Sequence, residues 1–121
     1  MPDAQQIISK YQLRVHPEGG YYAETYRSAE LIQAGSLPDR FKGPRNFSTA
    51  IYFLLEAHLF PAFHRIKSDE CWHFYNGVGL QIYILYPGGT GEILKLGDDL
   101  QSGFSHQHVV PAGCRFASRP I

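Results

Sequence analysis

This chain has no excess charge of either sign: eleven Lys and Arg balance eleven Asp and Glu over 121 residues, for a formal net charge of zero. With no net field to draw in phosphate backbones or anionic lipid, neither nucleic acid nor a membrane is expected as a partner. Long hydrophobic runs are missing as well. The longest purely apolar stretch, residues 50–55, is far below the roughly 20 residues that span a bilayer, and the opening MPDAQQ has neither a basic nor an apolar signal region. Cysteine is scarce. Cys71 and Cys114 are too few for a disulfide scaffold, and no CxxC spacing marks a structural zinc. A soluble, cytoplasmic protein is the expectation. No GxSxG, P-loop or dinucleotide-binding glycine pattern is present, and no internal repeat. The length and even composition point to one domain over residues 1–121.

Turn formers are plentiful. Twelve Gly and eight Pro fall between short aromatic and β-branched runs at spacings of about ten residues, the rhythm of an all-β sandwich or barrel. Helix is the exception: residues 3–13 place Ile7, Ile8 and Tyr11 on one side at helical spacing, with Asp3 as N-cap. The stretch His16-Pro17-Glu18-Gly19-Gly20 breaks that helix, and its glycines suit either a tight bend or a close backbone approach to a ligand. Strands are expected over 21–27, 47–55, 61–67, 70–75, 80–86, 91–96 and 106–110, with 28–45 as a long connection. In the strand at 21–27, alternation gives one face to Tyr22, Glu24 and Tyr26. Short strands without interleaved helices leave edges open unless they close or stack, which points to a jelly roll with a small-molecule cavity at its mouth.

The densest chemistry lies in residues 64–73, where two imidazoles, two carboxylates, two cations and a tryptophan crowd together. Read as a hairpin, this segment has two registers. In one, His64 lies opposite His73 and shares a face with Ile66 and Cys71. In the other, His64 and Ile66 share a face with Glu70, Trp72 and Phe74, which sends Arg65 and Lys67 to the far side. The second sorts apolar from charged residues better and turns His73 outward unless a bulge rotates it. A histidine and a carboxylate that converge can exchange a proton with a substrate, with Lys67 as a further acid or electrostatic partner. The same two side chains can ligate a divalent metal if a third ligand joins them; His73, His58, His106 and His108 are the available imidazoles. The plain alternative is a hydrogen-bonded histidine in the wall and a Glu70 paired at the surface with Lys67 or Arg65. Tyr22, Glu24, Tyr26, Trp72 and His73 are the candidate binding residues. Nothing in the sequence marks Cys71 as a nucleophile.

The run F-H-R-I-K-S-D-E-C-W-H-F-Y-N-G, with H-P-E-G-G-Y-Y-A-E-T-Y-R-S before it and V-V-P-A-G after it, resembles the cupin superfamily, and within it a small branch of proteins of unknown function. The resemblance covers nearly the whole chain. It implies a jelly-roll β-barrel of the cupin type, one short N-terminal helix, a pocket at the barrel mouth and a homodimer. In the first cupin motif His64, Glu70 and Gly77 match, while His58 stands at the first glycine position and Ile66 at the second histidine. In the second motif Pro111 and Gly113 match, and Phe116 stands at the last metal-binding histidine. Two of the four usual ligands are thus absent, so no cofactor is expected, with a divalent metal held by His64, Glu70 and His73 as the alternative. After the second motif the chain reads C-R-F-A-S-R-P-I, unlike its relatives, as if the last strands were lacking. The implied function is a small-molecule-binding protein, either a metal-independent isomerase or epimerase-like enzyme on a polar or sugar-like substrate, a non-catalytic metabolite-binding protein, or a metal-dependent enzyme.

Overall fold

Asp3 decides where the first helix begins. Its carboxylate accepts the Gln6 N–H at 2.8 Å and the Gln6 side chain accepts the Asp3 N–H at 2.8 Å, which satisfies two of the donors a helix start leaves open. Helix α1 (Ala4–Tyr11) ends at Gln12, whose left-handed backbone (φ 53°) returns the Leu13 N–H to the Ile8 carbonyl. Ile7 and Ile8 are half-buried on the expected side, and Tyr11 lies against Tyr52 with ring centroids 4.4 Å apart. The structure, a computed structural model, describes residues 2–58 and 62–121. The chain divides into two units, Pro2–Leu54 and Leu55–Ile121.

In the first unit α1 is followed by β1 (Arg14–Val15), β2 (Tyr21–Arg27), β3 (Leu31–Ile32), β4 (Arg45–Asn46) and β5 (Thr49–Leu54). Strands β1, β2 and β5 form one antiparallel sheet, and β3 pairs with β4. Residues 28–45 are therefore not a bare connection: they contain β3 and reach β4, and Phe41 is buried beneath the guanidinium groups of Arg40 and Arg45, 4.7 and 5.3 Å from its ring. The 16–20 segment is a hydrogen-bonded turn. The His16 N–H reaches the Gly20 carbonyl at 2.8 Å, and the His16 Nδ1 accepts the Glu18 N–H at 3.0 Å. The glycines serve the bend and its packing. Gly20 has φ +82°, and a Cβ there would lie 2.7 Å from the Leu54 carbonyl oxygen and 2.9 Å from the Phe53 ring.

The second unit contains β6 (His64–Arg65), β7 (Glu70–His73), β8 (Leu80–Leu85), β9 (Gly91–Leu96), β10 (Gln107–Val110) and β11 (Arg115–Pro120). Four strands form a sheet in the order β6-β11-β8-β9, and β10 pairs with β7. Among the described residues these ladders do not close into a ring. The strand expected over 61–67 is present only as β6, and Pro61 lies outside the described residues. Residues 115–120, in the segment that departs from the family pattern and where no strand is expected from the sequence, form β11, paired with β8 along its length and with β6 at Arg115 and Phe116. β6 pairs with β11 only at Arg115 and Phe116, so at Pro120 that side of the strand is an edge in this sheet, where a residue without an N–H is accommodated. The buried cluster of Ile82, Ile84, Leu96, Val110, Cys114 and Phe116 lies on one face of these strands, with Ile66, Trp72, Phe74 and Leu94 packed around it.

Two neighbouring glycines separate turn geometry from close packing. Both have positive φ, but only Gly20 lacks room for a side chain. Urea unfolding should show Gly19→Ala destabilised by about 1 kcal/mol and Gly20→Ala by about 2–4 kcal/mol; equal losses would mean that the Phe53–Leu54 contact contributes nothing.

Candidate functional site

β6 and β7 do not form a hairpin with each other. The segment running from β6 through the 66–69 connection to β7 lies antiparallel to the segment running from β10 through the 111–114 turn to β11. The same register holds in both ladders: His64 is opposite Phe116 and Arg65 opposite Arg115, then Glu70 is opposite Val110 and Trp72 opposite His108. No residue is gained or lost between them, so the two segments form one bent two-stranded ribbon. Its bend is fastened by the Asp69 carboxylate, which accepts the Ala112 N–H at 2.8 Å, and by the Gly113 N–H, which donates to the Ile66 carbonyl at 3.0 Å. Gly113 has φ +86°, which the turn requires. Neither Asp69 nor its partner stands out in the sequence, where Ser68-Asp69 reads as an ordinary loop.

Both hairpin registers therefore assumed the wrong pairing, yet the favoured one sorted the faces correctly. His64, Ile66, Glu70, Trp72 and Phe74 are all half-buried, and Arg65, Lys67, Cys71 and His73 alternate with them as exposed residues. Opposite the inward row stand Phe116 and Val110, both buried, and the half-buried His108. His64 lies on Phe116 with ring centroids 4.2 Å apart, and Trp72 meets the same ring edge-on at 6.1 Å. The Trp72 indole N–H donates to the Glu70 carboxylate at 3.0 Å, fixing that acid beside the aromatic group. On the other side of the imidazole, Nδ1 is 3.4 Å from the Ala62 carbonyl oxygen.

Other expected site residues are placed differently. Lys67 is exposed in the connection between β6 and β7. His73 is on the face of β7 opposite Glu70, so it does not join His64 and Glu70 as a third ligand. His108 is half-buried with Nε2 2.9 Å from the Lys95 carbonyl oxygen, whereas His106 and His58 are exposed. Tyr22, Glu24 and Tyr26 belong to the first unit and do not form a single stripe. A bulge puts Glu24 opposite Ile51 but Tyr26 opposite Ala50, which shifts Tyr26 out of phase with the other two. Tyr22 meets His16 edge-on at 5.0 Å. Glu24 is ion-paired with Arg27, whose hydrogen bond holds the carboxyl below its ordinary pKa and raises that of the guanidinium. Two shallow depressions on the second unit lie elsewhere, one bordered by Gly79, Asp98 and Phe104, the other by Phe63, Leu85 and Ile93.

A family described as Cupin superfamily (DUF985) matches residues 5–121. The chain belongs to the cupin superfamily. An uncharacterized Saccharomyces cerevisiae protein, YML079W, is 35% identical over 120 residues, covering 94% of this chain and 59% of the relative. The chain thus spans about three-fifths of the length of that curated relative. Among solved structures, protein SO0799 from Shewanella oneidensis is 36% identical with a TM-score of 0.86, over 99% of this chain and 70% of its own. A hypothetical protein from Leishmania major is 30% identical, also with a TM-score of 0.86, over 98% of this chain and 70% of its own. The fold class is that expected from the sequence, an all-β cupin jelly roll with one short N-terminal helix. No helix among the described residues is long and apolar enough to cross a membrane.

Members of the superfamily can bind metal, and the donors of this cupin fit that role poorly. Directly opposite His64, where the second motif places its last ligand, is the phenyl ring of Phe116, 1% exposed and without a lone pair to offer. Ile66 fills the other missing position with hydrocarbon packed on the core. Among the described residues no three His, Cys, Asp or Glu side chains converge. What remains is an imidazole and an oriented carboxylate beside an aromatic pair.

The Asp69 fastening can be checked by itself. Asp69→Ala leaves the Ala112 N–H without its partner and should cost about 1–3 kcal/mol in chemical denaturation, while Asp69→Asn, which keeps an acceptor oxygen, should recover at least half of that. Equal stability in all three proteins would show that the bend holds without it.

Proposed function

We infer that this cupin is a small-molecule-binding protein that acts on a small polar or sugar-like carbonyl compound without a resident metal ion, in the manner of an isomerase or epimerase. The observation that carries this reading is the imidazole of His64 lying tilted against buried Phe116, which stands where a second metal ligand would. With the proton on Nδ1, toward the Ala62 carbonyl, Nε2 would be the basic atom of the ring. His64 would remove the proton from a carbon next to a carbonyl, and the C–H electron pair would move onto the carbonyl oxygen as an enolate. Return of that proton by His64 to the neighbouring carbon would complete an isomerisation, and protonation of the enolate carbon by water on its opposite face, with His64 releasing its proton to solvent, would complete an epimerisation, in both cases with no external reductant or oxidant. Glu70, oriented by the Trp72 indole, would hold a substrate hydroxyl, and the faces of Trp72 and Phe116 would supply an apolar wall. A homodimer in the cytoplasm, with no nucleic acid or membrane partner, accompanies this reading.

The experiment is solvent deuterium exchange into a panel of small ketoses and hydroxyaldehydes, followed by proton NMR, together with elemental analysis of the protein as purified. The expected result is loss of an α-proton signal for at least one compound, unaffected by EDTA. His64→Gln should slow it about 100-fold or more, and metal content should be well below one per chain. Binding without exchange would instead support the non-catalytic protein. A stoichiometric divalent metal whose removal abolishes exchange would support the metal-dependent enzyme.

A further inference from the structure

The outward face of the β6-β11-β8-β9 sheet has a feature unrelated to His64. Arg65 and Arg115 are direct cross-strand partners, which places two like charges side by side where a sheet ordinarily pairs opposites. Both are exposed, and neither makes an ion pair or side-chain hydrogen bond among the described residues. The next outward position along that row is Leu85, opposite Arg115. Beside it Tyr83 is paired with Ile93, and with Phe63 these residues border a depression of about 380 Å³. Phe63, Leu85 and Ile93 are 48%, 45% and 53% exposed, so the depression is floored by open hydrocarbon. Arg119 and Lys95 flank Gln81 in the outward row beyond it, adding positive charge on the same face. The acid at its border, Glu92, is engaged by the Tyr86 hydroxyl.

We propose that this face binds a small phosphate monoester bearing an aryl or alkyl group, with its oxyanion between the Arg65 and Arg115 guanidinium groups and its apolar group against Phe63, Leu85 and Ile93. Two adjacent guanidinium groups match a doubly charged phosphate, each as a planar donor fork, and the anion relieves the repulsion the register imposes. A second copy of the chain seated face to face is a poorer occupant, because it would bring its own arginines against these. The proposal is independent of the function inferred for His64.

Phenyl phosphate is the probe, with inorganic phosphate and benzyl alcohol as controls, titrated by NMR into the full chain. The expected result is saturable binding of phenyl phosphate, about tenfold or more tighter than inorganic phosphate, with none for benzyl alcohol. Arg115→Gln should weaken phenyl phosphate binding at least about tenfold, and Arg65→Gln, on the sheet edge where folding is least at risk, should do the same. Ile93→Ser should bring phenyl phosphate down to the affinity of inorganic phosphate, while His64→Gln, whatever it does to proton exchange, should leave phenyl phosphate binding as it is. Any of three results overturns the proposal: no saturable binding, an affinity in both arginine variants equal to that of the unaltered protein, or loss of binding in His64→Gln, which would place the probe on the inward face.

Discussion

The contact between His64 and Phe116 governs how the second unit can be used. A phenyl ring 1% exposed is part of the core before it is part of any site, and burying a ring of that size contributes about 2–3 kcal/mol by area alone. Because Phe116 lies directly across from His64 in the ladder, the imidazole is held against hydrocarbon on one side. Trp72 meets the same ring and turns its indole N–H to Glu70. One buried residue thus packs against an imidazole, meets the indole that orients a carboxylate, and occupies the place a metal ligand would take.

The bent ribbon explains why the site residues share a face even though β6 and β7 never pair. Side-chain alternation persists through the 66–69 connection because the opposing segment bends with it, fastened by Asp69 and Gly113. A slip of β6 by one residue against β11 would turn Arg65 inward onto the core and put His64 outside. The two faces of the ribbon therefore bear different chemistry from a single register: imidazole, carboxylate and aromatic rings inside, paired guanidinium groups outside.

Much of this was legible in the sequence, for identifiable reasons. The Asp3 cap, the helix, and the strands over 21–27 and 91–96 follow from local signals that tertiary structure did not override. The inward set of His64, Ile66, Glu70 and Trp72 was readable because alternation alone determines a face. What was not readable depended on partners distant in the chain. Strand β11 is written with Arg, Ser and Pro, and it is a strand because β6 and β8 flank it. The bulge in β2 leaves no mark on the run of tyrosines, and the role of Asp69 exists only once the 111–113 turn comes beside it. Phe116 was visible as a departure from the family pattern, but its packing against both His64 and Trp72 was not.

The most direct measurement is the chemical shift of the His64 ring protons by heteronuclear NMR of the imidazole-labelled protein. A ring packed 4.2 Å from Phe116 between centroids should show its Hδ2 or Hε1 resonance displaced by the phenyl ring current, and the displacement should vanish in Phe116→Leu, which keeps the core filled without an aromatic ring. Ring protons at the positions of a free histidine, unchanged by Phe116→Leu, would contradict the packing on which the site is built.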